Sequence, residues 1–73
     1  MKREDITKNT VFVVRQCTKD NKILCIYGVY YSEENAIKDL PREEEDLEFN
    51  ELRWIWESRL RPIYYIIDEY TVH

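Results

Sequence analysis

A single glycine and a single histidine in a chain of 73 residues remove several chemistries at once. One glycine, Gly28, cannot build the glycine-rich loop that cradles phosphates through its backbone amides. The only histidine, His73, is the last residue, and no serine or cysteine has a base beside it in sequence. Asp68 and Glu69 are a carboxylate pair, but on a regular strand they point to opposite faces. Two cysteines, Cys17 and Cys25, are too few for the disulfide framework of a small secreted domain, and even with His73 too few for a zinc site. No apolar run approaches the length that spans a bilayer, and Met1-Lys2-Arg3 leads into Glu4-Asp5 rather than an apolar signal segment. These absences predict a cytoplasmic, non-enzymatic chain with no catalytic residue, no metal, no cofactor and no membrane contact.

What is present is a folding composition: 44% hydrophobic and 36% charged, with two Trp, six Tyr and two Phe. A chain of this length makes one domain, residues 1–73, whose polar residues 1–9 are expected to be flexible. Its core yields only about 3–5 kcal/mol of net stability, so partner subunits are common at this size. Fifteen acids against 11 bases give a formal charge of −4, which disfavours direct binding to nucleic acid.

Val11-Phe12-Val13-Val14 reads as a strand, Thr18 to Lys22 as a polar turn, and Ile23 to Tyr31 as a second strand, together a β-hairpin. A two-residue Asp20-Asn21 turn would pair Cys17 with Leu24; a three-residue loop to Lys22 would set Cys17 opposite Cys25. Gly28, inside the second strand, marks a bulge or a close approach of packed side chains. Ser32 caps a helix whose first turn carries Glu33 and Glu34, and Ala36, Ile37 and Leu40 form its apolar face. Pro41 either stops this helix or begins another. In Leu52 to Leu60, helical spacing joins Leu52, Ile55, Trp56 and Leu60, and strand spacing joins Leu52, Trp54 and Trp56. Good helix formers around them and Pro62 beyond favour the helix. Ile63 to Val72 is then a third strand. The expected fold is α+β: a small antiparallel sheet in β-β-α-β order with helical cover on one face.

Val11 to Val14, Ile26 to Leu40 (IYGVYYSEENAIKDL) and Tyr64 to Val72 (YYIIDEYTV) follow an order that resembles a family of small phage and prophage proteins. Its pattern is a strand, a second strand ending GV(Y/F)-S-x-E-x-A, a helix, and a terminal strand like Y-x-I-x-E-Y-x-V. The matching residues, Gly28, Val29, Ser32, Ala36, Tyr70 and Val72, imply a fold and no activity. Residues 41 to 62 lie outside the match. The resemblance implies a phage setting, in which small acidic proteins disable single host proteins. In size and charge character the chain is similar to a phage DNA mimic that blocks the nucleoid protein HU.

The acidic segment supplies the functional expectation. From Glu33 to Glu51 there are nine acids (Glu33, Glu34, Asp39, Glu43, Glu44, Glu45, Asp46, Glu48 and Glu51) and two bases, Lys38 and Arg42. One-signed surfaces steer oppositely charged partners, although acidic runs on helices are commonly no more than solvated faces. Nineteen helical residues would span about 28 Å, roughly one net charge per 4 Å, against one per about 1.7 Å in duplex DNA. A DNA mimic built this way needs two copies side by side. The expected assembly is therefore a homodimer, joined through Trp54 and Trp56, the strand tyrosines or an unpaired sheet edge. The expected partner is a basic host protein such as HU. The alternative is an inhibitor or adaptor that grips a host enzyme through Trp54, Trp56 and the tyrosines.

Overall fold

Strands take up more than half of the residues that the computed structural model describes, 10–71. Strand β1 (Thr10–Thr18) is followed by β2 (Ile23–Tyr30), a six-residue helix α1 (Glu33–Lys38), β3 (Leu47–Asn50), β4 (Ile55–Ser58) and β5 (Ile63–Thr71). All five strands form one antiparallel sheet in the order β2-β1-β5-β4-β3. Among the described residues, only α1 lies against it, over β1 and β2. The α+β expectation with helical cover is therefore corrected to a five-stranded sheet carrying one short helix. The flexibility expected of residues 1–9, and the positions of Val72 and His73, lie outside the described residues.

Two segments account for the correction. Helix formers fill Leu52 to Leu60, but Asn50 decides the local geometry. Its side-chain oxygen accepts from the amides of Leu52 (3.0 Å) and Arg53 (3.2 Å), and its carbonyl accepts from Trp54 (2.7 Å). A helix start is capped in the same way, but here the turn runs no further, because β4 pairs with β5 and the chain reverses. Residues 51–54 become the turn of a β3–β4 hairpin, and Trp54 sits in the left-handed region at φ 55°. That strained residue is held by edge-on packing against Phe49, whose ring centroid is 5.3 Å away. Likewise, Pro41 begins no second helix. Residues 42–46 form consecutive turns, closed by the Leu47 amide donating to the Arg42 carbonyl at 2.9 Å, with Asp46 at φ 52°.

The β1–β2 hairpin takes neither of the expected registers. Cys17 faces Ile23 and Gln16 faces Cys25, because Leu24 and Tyr27 are extra residues at two bulges. Both cysteines are free, Cys17 buried and Cys25 exposed. Gly28 combines the two roles expected of it: it adjoins the Tyr27 bulge, and a Cβ there would lie 2.4 Å from the Tyr30 hydroxyl. The helix starts as its sequence implies, with the Ser32 hydroxyl accepting from the Asn35 amide at 3.1 Å.

Alternation along the strands divides the sheet into two faces. On the face beneath α1, Val14, Ile63 and Tyr65 pack with Ala36 and Leu40, flanked by Phe12, Tyr30, Leu47, Trp56 and Ile67. The opposite face holds a smaller buried cluster of Cys17, Ile55 and Tyr64 at one end only.

Candidate functional site

The nine acids do not lie along one rod. Glu33 and Glu34 stand in the first turn of α1, where the helix dipole favours them, and both are exposed. Asp39 terminates the helix and accepts a 2.5 Å hydrogen bond from the Tyr30 hydroxyl. Burial, then this bond to Asp39, pushes the Tyr30 hydroxyl up to about 12. Tyr27 stands beside it, edge-on to Tyr65 with centroids 5.3 Å apart. Its hydroxyl is also raised, first by burial and then by Tyr65, Asp39, Glu44 and Glu45. The helix end and the following turns thus gather carboxylates around one pair of tyrosines, on the α1 side of the sheet.

Glu45 has a structural task. It accepts from the Arg61 guanidinium through both carboxylate oxygens and from the Ser58 hydroxyl at 3.0 Å. Arg61, with Ser58 assisting, holds the Glu45 carboxyl below its ordinary value despite partial burial. Ser58, almost fully buried, accepts from the amides of Leu60 and Arg61 and so fixes the β4–β5 turn. Asp46 and Glu48 share Arg59 at 3.5 and 3.6 Å, in contacts exposed enough to contribute little stability. Among the described residues, Glu33, Glu34, Glu43, Glu44 and Glu51 make no salt bridge. Glu43 and Glu44 line a shallow depression with Lys38, Leu40 and Arg42. Glu51 sits apart in the β3–β4 turn, and Glu48 points to the other side of the sheet.

Trp54 and Trp56 part company. Trp56 is half-buried against the main core and tilts on Phe49 at 4.8 Å, so its ring is committed to packing. Trp54 is 67% exposed. The sequence reading passed over Arg59, Arg61 and Ser58, which consume three of the acids. The signal available was sign alternation: bases at 59 and 61 follow the acidic run closely enough to fold back on it.

No described helix is long and apolar enough to cross a membrane. Among the described residues, no group of His, Cys, Asp or Glu is arranged to hold a metal ion. Comparison of the chain with protein-family models, with curated proteins and with solved structures finds no match.

Proposed function

We propose that this chain is a non-enzymatic binding protein that docks its acidic side onto the nucleic-acid-binding surface of a basic protein. An HU-like nucleoid protein is the named partner, and the cytoplasm of a phage-infected host the setting that the family resemblance implies. The observation that carries the reading is the group Glu33, Glu34, Glu43 and Glu44. All four are exposed, free of salt bridges among the described residues, and carried by the helix and turns on one side of the sheet. Side chains already neutralised within the chain would bring less net attraction.

The mimicry differs from a line of charge. A six-residue helix rises only about 9 Å, so the acids form a patch and not a 28 Å rail. Such a patch suits competition for a cluster of Lys and Arg better than imitation of a long duplex.

The test is binding to purified HU, with a salt titration. Replacing Glu33, Glu34, Glu43 and Glu44 by Gln is expected to weaken binding roughly tenfold or more and to flatten its salt dependence. Glu45 is left intact because it holds the β4–β5 turn. Unchanged affinity in a folded variant overturns the proposal. The exposed Trp54 favours one second reading, a partner gripped through apolar contact. That binding would hold or strengthen as salt rises, and Trp54→Ala would abolish it.

A further inference from the structure

The sheet face opposite α1 is closed at one end only. There the Tyr64 hydroxyl donates to the Asn21 side chain at 3.0 Å, and Arg53 lies over the Tyr64 ring. Ile23, beside Cys17 at the margin of that end, and Ile26 and Val29 on β2 and Tyr70 on β5 across the rest are 50 to 58% exposed, and no described element covers them. In the middle stand Arg15 and Asp68, an ion pair with N–O 2.5 Å and side chains 27% and 26% exposed. The contact is close but poorly directed: the Arg15 Nε and Asp68 Oδ2 atoms are buried without a hydrogen-bond partner.

We infer that this face is the interface of a homodimer, in which two sheets pack back to back about a two-fold axis near Arg15 and Asp68. Three features point to a second copy. First, an isologous interface must be self-complementary, since residue i meets j and j meets i. The part of this face on β2, β1 and β5 meets that condition: it is apolar around one cation and one anion, and the axis brings each Arg15 toward the other copy's Asp68, while Glu57 on β4 and Glu48 on β3 face the same side at its margin. A patch with a single sign of charge could not pair with itself. The pair is already about three-quarters buried in one chain, so most of its desolvation falls on folding and little is left for association.

Second, the size suits. A patch of three strands and eight residues covers roughly 14 Å by 27 Å at ordinary strand spacing. That is roughly 400 Å² in plan on each copy, and side-chain relief raises the accessible area further. The total over two copies then reaches the order of 1,000 Å², where specific interfaces begin. Sheets packed in this aligned way lie about 10 Å apart, which branched aliphatic side chains fill.

Third, the charge is placed to allow it. Glu33, Glu34, Asp39 and Glu43 to Asp46 belong to α1 and the turns on the other side of the sheet. Two chains, each of formal charge −4, can meet through this face without opposing those acids. The acidic patches then point away from each other, opposite to the side-by-side arrangement expected from the sequence. Dimerisation here is independent of the proposed HU binding, and either can fail without the other.

The experiment uses the full chain and two charge-reversed variants, Arg15→Asp and Asp68→Arg, with mass measured by sedimentation equilibrium and folding by circular dichroism. The wild type is expected at twice 9.0 kDa. Each variant alone places four like charges about the axis and is expected to associate at least roughly tenfold more weakly. Mixed in equal amounts they are expected to recover a heterodimer. A wild type that stays monomeric at high micromolar concentration overturns the inference, whether residues 1–9 or nothing covers the face. So does a mixture of folded variants that remains monomeric. Should either variant fail to fold, Ile26→Lys takes its place: it is expected to give a folded monomer, and an undiminished dimer would place the interface elsewhere.

Discussion

Val13 and Val14 are neighbours on β1 that point to opposite faces of one sheet. Val14 is fully buried in the cluster with Ala36, Leu40 and Tyr65, whereas Val13 is half-exposed beside Val29. The same residue type therefore has two uses, set by what lies above the sheet. On the covered face, side chains are locked by the helix and by hydrogen bonds: Gln16 donates to the Tyr65 hydroxyl at 2.8 Å, and Tyr30 to Asp39. On the other face, β-branched residues remain accessible around a single ion pair. The main core lies on the first face, and the second is the one we propose for association.

The largest effect that could break this contrast comes from Tyr65, the largest fully buried side chain. Tyr65→Ala removes about 3–5 kcal/mol, by analogy with other large aromatic truncations. That equals the whole net stability expected of a core this small, so the variant should be unfolded at room temperature. Ile26→Thr, on the open face, should change stability by no more than about 0.5 kcal/mol. Urea denaturation at concentrations too low for association checks both. An equally severe loss from Ile26→Thr would mean that this face is covered within a single chain.

Gly28 offers a finer cut, because it faces the covered side opposite Val14. An added methyl would crowd the Tyr30 hydroxyl and meet the ring carbons beside it at 2.7 and 2.8 Å, and Asp39 holds that same hydroxyl in place. It has little room to retreat. Gly28→Ala should therefore cost about 1–3 kcal/mol through overpacking. Combining it with Tyr30→Ala should cost less than the sum of the two single changes. Strict additivity in that double-mutant cycle would show that the glycine serves the bulge alone.

Much of the chain outside residues 41–60 was legible, though not the register of the first hairpin. The hairpin, the Ser32 cap, the Ala36 and Leu40 contacts and the terminal strand all follow from local chemistry that the fold leaves in force. The segment between the helix and the last strand was not. In residues 41–60 the helix propensities of Glu, Leu and Arg are real, but Asn50 and the turns after Pro41 redirect the backbone, and pairing of β4 with β5 secures the result. Propensity is a weak prior where pairing with a neighbouring strand competes with it. The acidic residues were found by counting charge, which says nothing of Glu45 being held by Arg61 and Ser58. For the open face a signal existed. ILCIYGVY is apolar at almost every position, where a strand covered on one side should alternate. Such a strand has more apolar surface than one helix can cover.

The smallest effects separate the charged rim of the covered side from its core. The Glu45 carboxyl lies below its ordinary 4.5 because Arg61, with Ser58, favours the charged form in the folded chain. The unfolded chain therefore takes up the proton first, and this stabilisation is complete above about pH 4.5 and fades as the pH falls through the lowered value. Tyr30 runs the other way. Burial and the bond to Asp39 raise its hydroxyl to about 12, so its contribution is complete below 10 and is lost as the pH climbs between the two. Glu45→Gln should flatten the acid limb of a stability–pH profile and leave the alkaline limb unchanged, whereas Tyr30→Phe should do the reverse. Tyrosinate absorbance should show one group titrating near 12 that Tyr30→Phe removes. If Glu45→Gln left the acid limb as it was, the Arg61 contact would be solvated surface, and the β4–β5 turn would rest on Ser58 alone.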